Sequence, residues 1–361
     1  MSERTDLRTV LHRTPGLAGG LLCLVLALGL LGCDEKPATP EWSDTADQAA
    51  EVVSTGADDR SPAPSSPAVD RSLRIGSAGA SAAPAGAGGG FRFVAYNVEN
   101  WLTMDRYEDN KRVSNRPKPD EEKKAVVRIL VKSRPDIIGL CEIGEAKDLA
   151  EIQERLKQAG LNLPHSHFTG GSDPVRHLGL LSRFPITSTA RPASLEYRLE
   201  GKTHGFGRGI LDATVTAKGK PYRFLGVHLK SKRQTEEGDE EEMRVNEARL
   251  LRGHVDSILA KDPNARLVVY GDFNDTRPSR AFKVVTGNYN SPDYLTAIPF
   301  KDSRGHAWTH HWDPHDIYSR IDFVTVTRPL RTEVDFQTSH IIDDPEWDKA
   351  SDHRPVLAIF R

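Results

Sequence analysis

The chain has 361 residues, a formal net charge of −2 and 28% charged residues. That length suits one large domain or two small ones. The charge balance, barely basic after residue 90, speaks against a protein held to nucleic acid by bulk charge alone, though it leaves a nucleic-acid substrate open.

Arg4, Arg8 and Arg13 precede an uncharged apolar stretch, Leu17 to Leu31. The stretch is short for a membrane span, since about 20 residues are needed. It ends in Leu30-Leu31-Gly32-Cys33, which resembles the lipobox of bacterial lipoproteins. The resemblance implies a signal peptide over residues 1–32, cleavage before Cys33 and acylation of that cysteine. The protein would then be exported and anchored by lipid to a bacterial membrane, on its periplasmic or extracellular face. An ordinary secretory signal with a chance cysteine, or an uncleaved anchor, are the alternatives. With Cys33 lipidated, Cys141 has no disulfide partner, so the folded part must rely on its core. Residues 33–90 read as a disordered tether, rich in Ala, Ser, Pro, Gly and acids and without a sustained apolar period.

The folded domain is expected over residues 91–361. Phe91 to Tyr96 alternates like a strand and runs into Asn97. Glu121 to Lys132 has helical spacing at Ala125, Val126, Ile129 and Leu130. Asp136 to Cys141 is a buried strand that delivers Glu142, and Asp148 to Ala159 is an amphipathic helix stopped by Gly160. Leu178 to Leu181 and Gly209 to Thr216 are strands, and Tyr222 to Val227 is another that delivers His228. Glu241 to Ala260 is a long helix. Leu267 to Tyr270 is a strand capped by Gly271-Asp272, and Ile321 to Thr327 and Pro355 to Phe360 finish the set. Many strands interleaved with a few helices suggest two packed mixed sheets with helices outside.

A polar residue follows one strand after another. Buried carboxylates and amides are costly unless paired or bound to a metal, so the recurrence asks for a shared cause. Asp272 and Asn274 are two apart and, in extended backbone, face one side. An Asx-type turn is the structural alternative. His353, in Ser351-Asp352-His353-Arg354, needs an acceptor on its second ring nitrogen, and Asp322 between apolar neighbours is the evident one. Asp352 is left to bind a metal. Glu142 is suited to hold a hard divalent cation, with Asn97 completing the shell. Glu99 and Glu145 are weaker candidates. His228 could donate to a phosphate oxygen. The run His310-His311-Trp312-Asp313-Pro314-His315 fits no standard zinc spacing and reads as an exposed loop. No exposed aromatic hairpin that could dip into a bilayer is evident.

Together these positions resemble the endonuclease/exonuclease/phosphatase superfamily, also called deoxyribonuclease I-like. The resemblance runs in order through Tyr96-Asn97-Val98-Glu99-Asn100, Ile138-Gly139-Leu140-Cys141-Glu142, Leu181-Ser182-Arg183-Phe184-Pro185, Val227-His228-Leu229, Gly271-Asp272-Phe273-Asn274, Arg320-Ile321-Asp322 and Ser351-Asp352-His353. It implies an α/β (α+β) four-layer sandwich, two mixed β-sheets flanked by helices, and phosphoester hydrolysis with Mg²⁺ or Mn²⁺. It further implies Glu142 as the main metal ligand, with Asn97 and Asp352 beside it. His353, oriented by Asp322, would be general base or phosphate clamp. Asp272, with Asn274, would position water or protonate the leaving group, and His228 and Arg208 would contact phosphate.

Tyr270 before the Gly-Asp pair and Asp275-Thr276 after it differ from the inositol polyphosphate phosphatases, and export argues against a chromosomal repair nuclease. The motifs are most similar to a bacterial exported branch. The expected activity is a phosphodiesterase or nuclease acting outside the cytoplasm, as a monomer, on nucleic acid, a nucleotide or another phosphodiester. A phosphomonoesterase, a lipid-headgroup phosphodiesterase and a non-catalytic phospho-ligand binder are the alternatives.

Overall fold

In chain order, two large sheets are built from Phe91–Trp101 (β1), Ile137–Ile143 (β2), His165–Thr169 (β3), His177–Ser182 (β4), Ile186–Thr189 (β5), Ile210–Ala217 (β6), Lys220–His228 (β7), Leu267–Asp272 (β8), Thr296–Ala297 (β9), Asp322–Val326 (β10), His340–Ile341 (β11) and Val356–Phe360 (β12). The computed structural model describes residues 90–108 and 111–361. The expected signal peptide, Cys33 and the tether up to residue 89 lie outside the described residues.

The first sheet runs β11-β12-β1-β2-β4-β3 and the second β9-β10-β8-β7-β6-β5. Each holds one parallel pair, β1 with β2 and β7 with β8, among antiparallel neighbours. Parallel neighbours need a crossover connection. Helix α1 (Asp120–Ser133) provides the first, and α2 (Ala146–Gln158) follows β2. Helix α3 (Glu240–Lys261) provides the second, and α4 (Arg280–Thr286) follows β8. The strand–helix–strand–helix order thus occurs twice.

Alternation along each strand decides which core a residue joins. Phe93 and Ala95 of β1 face the second sheet, where Leu211, Phe224 and Tyr270 meet them. Val94 and Tyr96 face the other way, onto Ile129 and Leu130 of α1 and Ile152 of α2. In the second sheet Leu225, Val227 and Val269 pack on Leu251 and Val255 of α3 and Phe282 of α4. The result is the expected four-layer sandwich of helices, sheet, sheet and helices. Helix α1 carries Asp120, Glu121 and Glu122 in its first turn and Lys132 in its last, which suits its dipole. The Asp239 side chain caps α3 by accepting from the Glu242 amide.

The sheets approach closely where the Tyr270 ring enters between them. A Cβ on Gly139 would stand 2.0 Å from its Cε2, and one on Gly226 2.6 Å from its hydroxyl oxygen. Glycine at both positions makes room for one ring.

The structure corrects one expectation about the surface. His310–Trp312 pairs with Ile317–Ser319 as a hairpin instead of forming a loop, and His310 also bridges to His353. Three-residue strands around Pro314 are too short to leave a periodic signal. Two further hairpins, Met104–Glu108 with Lys111–Arg116 and Glu196–Leu199 with Lys202–Gly205, were likewise not legible.

Behind His353, the Arg354 and Asp302 side chains are fully buried and paired, Nη1 to Oδ2, at 2.9 Å. The guanidinium carbon also lies 3.3 Å from the Trp308 ring centre. Asp302 accepts from the Arg304 and His306 amides as well.

Gly139→Ala should cost about 1–3 kcal/mol through overpacking, read as a lowered urea midpoint. Asp302→Asn should cost about 3–5 kcal/mol, because it leaves a buried guanidinium unpaired. Burial opposes the Asp302 charge, yet the Arg354 hydrogen bond and the two amides hold its pKa at about 2. An unfolded aspartate titrates at ~3.9, so the stability this group adds is complete above about pH 4 and is lost as pH falls toward 2. Acid titration of unfolding should show that loss in the wild type and a shallower one in Asp302→Asn.

Candidate active site

Sheet register decides which side chains meet. His228 at the end of β7 is paired with Asp272 at the end of β8, and Asp272 with Asp322 at the start of β10. In the other sheet Asn97 is paired with Cys141, one residue before Glu142. Asn97 Nδ2 then bridges the sheets, donating to Asp272 Oδ2 at 3.1 Å and to Glu142 Oε1 at 3.2 Å. His353 enters from the segment before β12. Its Nδ1 is 2.8 Å from Asp322 Oδ2, and its Nε2 is 3.7 Å from Asp272 Oδ2 and 3.8 Å from Asp352 Oδ1. His228 Nε2 lies 3.5 Å from Asp272 Oδ2 and 3.9 Å from Glu142 Oε1. Seven candidates separated by up to 256 positions therefore share one cleft. Arg208 adjoins it: its Nε is 3.4 Å from Asp173, and its charge acts on His228. A surface hollow of about 630 Å³, lined among others by Arg92, Lys301, Phe336 and His340, includes none of these residues.

The backbone is unusual here. Glu99, Asn100, Glu142 and Asn274 have φ of 47°, 55°, 65° and 50°, a region that costs roughly 1–2 kcal/mol for a residue with a Cβ. Register shifts follow Asn97 in β1 and Cys141 in β2. Such irregularities re-aim side chains, and Glu142 Oε2 here accepts from the Asn100 amide at 2.8 Å. The turn at Asn274 also changes an expectation. Asp272 Oδ1 accepts from the Asn274 amide at 2.7 Å, and Asn274 Nδ2 donates to the Leu229 carbonyl at 2.9 Å. Asn274 leaves extended backbone at this point, so it braces the loop after β7 instead of projecting beside Asp272.

Electrostatics separates the two histidines. Burial alone would lower the pKa of His353, but the charges of Asp322 and Asp352 and the Asp322 hydrogen bond prevail and raise it well above the usual imidazole range. Burial, then the charges of Arg208 and His353, holds His228 well below that range. His353 is an imidazolium and His228 a neutral ring at neutral pH. Burial raises Asp272 to about 7, helped by Asp322 and opposed by His353.

The donor set fits a hard divalent cation. Glu142 and Asp272 both accept from Asn97 Nδ2, and Glu99 Oε2 accepts from the Asp352 amide at 3.2 Å. The cleft thus offers the oxygen ligands such ions take, although among the described residues Glu142 joins no group of three with ligand atoms within 4.8 Å. His310, Asp352 and His353 also offer atoms within 4.8 Å of one another, as do Asp272, Asp322 and His353. Asn97 turns its Nδ2 to the carboxylates while its Oδ1 accepts from the Glu99 amide at 3.1 Å. In that orientation it is a donor, and an oxygen ligand would need the amide turned over.

Two participants carry no mark of function in the sequence, and a third, His310, lies in the run whose sequence reads as an exposed loop. Arg176 Nε donates to Asn100 Oδ1 at 2.9 Å and stands 4.0 Å from Glu142 Oε2. Lys118 is fully buried, with Nζ 3.0 Å from the Glu99 carbonyl and 3.7 Å from its carboxylate. His310 packs its ring 4.6 Å from that of His353, with Nε2 3.8 Å from Asp352 Oδ2. Each comes from a segment with no apolar period, and only the Pro117-Lys118-Pro119 context marks Lys118 as held.

Residues 87–353 match the model of the Endonuclease/Exonuclease/phosphatase family. Solved structures share the fold at low identity. An endonuclease/exonuclease/phosphatase from Bacteroides vulgatus is 19% identical, over 75% of this chain and 98% of its own, with a TM-score of 0.54. The catalytic domain of human Nocturnin, solved with a bound sulfate, is 16% identical over 75% and 94%, with a TM-score of 0.52. Beta toxin of Staphylococcus aureus is 14% identical over 74% and 99%, with a TM-score of 0.50. No curated protein matches the sequence. The match to the family model, over most of the folded part, makes this chain a member of the endonuclease/exonuclease/phosphatase family, whose enzymes hydrolyse phosphoesters with the help of divalent metals.

Proposed function

We propose that this protein is a Mg²⁺- or Mn²⁺-dependent phosphodiesterase or nuclease that works outside the cytoplasm, anchored to a bacterial membrane by lipid on Cys33. The observation that carries the enzymatic reading is geometric: Asp322 Oδ2 lies 2.8 Å from His353 Nδ1 and backs the ring, whose Nε2 stands 3.7 Å from the buried carboxylate of Asp272. Binding alone has no need of an acid and a base held apart in this way.

Glu142, with Asp352 and Glu99 near it, would hold the cation. When bound, that ion supplies Lewis-acid stabilisation of charge on the phosphoryl oxygens. The imidazolium of His353 donates from Nε2 to a non-bridging phosphate oxygen, and Asp322 keeps the ring oriented. Asp272 accepts a proton from the attacking water on Oδ2 as the bond from phosphorus to the leaving oxygen breaks, and the departing alkoxide takes up a proton to leave as the alcohol. The Asn97 amide holds that carboxylate in place. Neutral His228 hydrogen-bonds the phosphate, and Arg176 and Arg208 add charge to the same side.

A lipid-headgroup phosphodiesterase is the second reading, and one observation favours it. The hairpin carrying His310 exposes Trp312, Ile317 and Tyr318 at 43%, 49% and 49%. The sequence of this segment carries no strand period that would mark such an aromatic hairpin. Plasmid DNA, bis-p-nitrophenyl phosphate and sphingomyelin vesicles, assayed in parallel, separate the two readings.

With bis-p-nitrophenyl phosphate, EDTA should abolish turnover and Mg²⁺ or Mn²⁺ should restore it. Glu142→Ala and His353→Ala should each lower kcat by at least about a hundredfold at unchanged circular dichroism. Near-normal turnover in either variant would reject that residue's role. Cys33→Ser should move the protein from the membrane fraction to the soluble fraction on cell fractionation. Continued sedimentation with membranes would reject the lipid anchor.

A further inference from the structure

Two arginines close in sequence to the catalytic acids lack an acidic partner among the described residues. Arg277 lies five residues past Asp272, in the loop leaving β8, and Arg320 two residues ahead of Asp322. Two residues of backbone span at most about 7 Å, so Arg320 is tied closely to the acid that orients His353. Both guanidinium groups lie over one aromatic cluster. Arg277 Cζ is 5.9 Å from the Phe282 ring centre, Arg320 Cζ is 5.3 Å from that of Phe323, and the two rings are 4.7 Å apart.

Arg320 is half-buried. Its Nη2 donates to the Ile298 carbonyl at 2.7 Å, and its Nε has no hydrogen-bond partner. Among the described residues, no carboxylate pairs with either arginine. Other buried or half-buried arginines in this sheet and its helices do find one: Arg244 meets Asp275 at 3.1 Å, Arg252 meets Asp256 at 2.7 Å and Arg223 meets Asp212 at 2.6 Å. Burial, then the charge of Arg277, lowers the pKa of Arg320 to about 10. Stacking on Phe323 and the bond to Ile298 would anchor Arg320 alone. They do not account for a second guanidinium beside it. Two guanidiniums over neighbouring aromatic rings, neither paired with an acid, have the chemistry by which proteins hold phosphate.

We propose that Arg277 and Arg320 form an anion subsite that binds a second phosphate group of the substrate, next to the phosphate being hydrolysed. The proposal rests on the phosphodiesterase reading and narrows it to diesters carrying a further phosphate, over single-phosphate diesters such as a choline headgroup.

The test compares kcat/KM of the full-length protein on tetrathymidylate, on glycerophosphoinositol 4-phosphate and on bis-p-nitrophenyl phosphate, which has one phosphate. In Arg277→Gln, an exposed position, the ratio of tetrathymidylate to bis-p-nitrophenyl phosphate should fall about tenfold, chiefly through KM, with partial recovery in Arg277→Lys. A parallel fall with glycerophosphoinositol 4-phosphate would mean that any neighbouring phosphate is read, and a fall with tetrathymidylate alone that a nucleic-acid chain is. Unchanged ratios for both substrates overturn the subsite. Tetrathymidylate binding in EDTA, followed by fluorescence anisotropy, should weaken in Arg277→Gln by a similar factor, and equal affinities overturn the subsite. Absence of turnover on every substrate would refute the hydrolase reading instead, and anisotropy would still decide the subsite.

Discussion

Acids crowded into a buried cleft repel one another, and this site holds together because donors and cations are interleaved with them. Asn97 donates to two carboxylates from opposite sheets. His353 stands within 4 Å of carboxylate oxygens of Asp272, Asp322 and Asp352. Arg176 and buried Lys118 reach Glu142 and Glu99 from the other flank. Remove those partners and the cluster would protonate or open, since an unpaired buried charge is far costlier than a paired one. The same arrangement sets the proton affinities, making His353 positive and leaving Asp272 near its neutral point.

This balance depends on main-chain geometry. Two parallel strand pairs, one in each sheet, end in polar residues, and hydrogen-bond register aligns His228, Asp272 and Asp322 in one row. Left-handed residues at Glu99, Asn100, Glu142 and Asn274 then turn the chain at the strand ends. Strain of that kind is typical where function requires a fixed side-chain direction.

The main framework and most of the cluster were readable in the sequence, because a polar residue ending an apolar run is a departure from strand chemistry that needs a partner. Asn97, Glu142, His228, Asp272 and Asp322 all carry this mark. Asn274 was misread because spacing of two implies a shared direction only while backbone stays extended. Arg176 and His310 lie in short or irregular segments where neither period nor turn chemistry indicates a direction. Family membership likewise does not settle what the rim selects. Relatives at 14% to 19% identity share the architecture, whereas the aromatic hairpin and Arg277 lie in connections between the sheet strands, which vary more than the strands they join.

Tyr270 touches no substrate in any scheme above, yet it lies two residues from Asp272, while the glycines facing it lie two residues from His228 and three from Glu142. Its ring acts as a spacer that sets the gauge between the sheets. Because Asn97 must reach carboxylates on both sides of that gap, the tolerance of the whole reaction centre is governed by an aromatic wedge with no chemistry of its own. Substitutions there would change how wide the jaws stand before they changed what lines them.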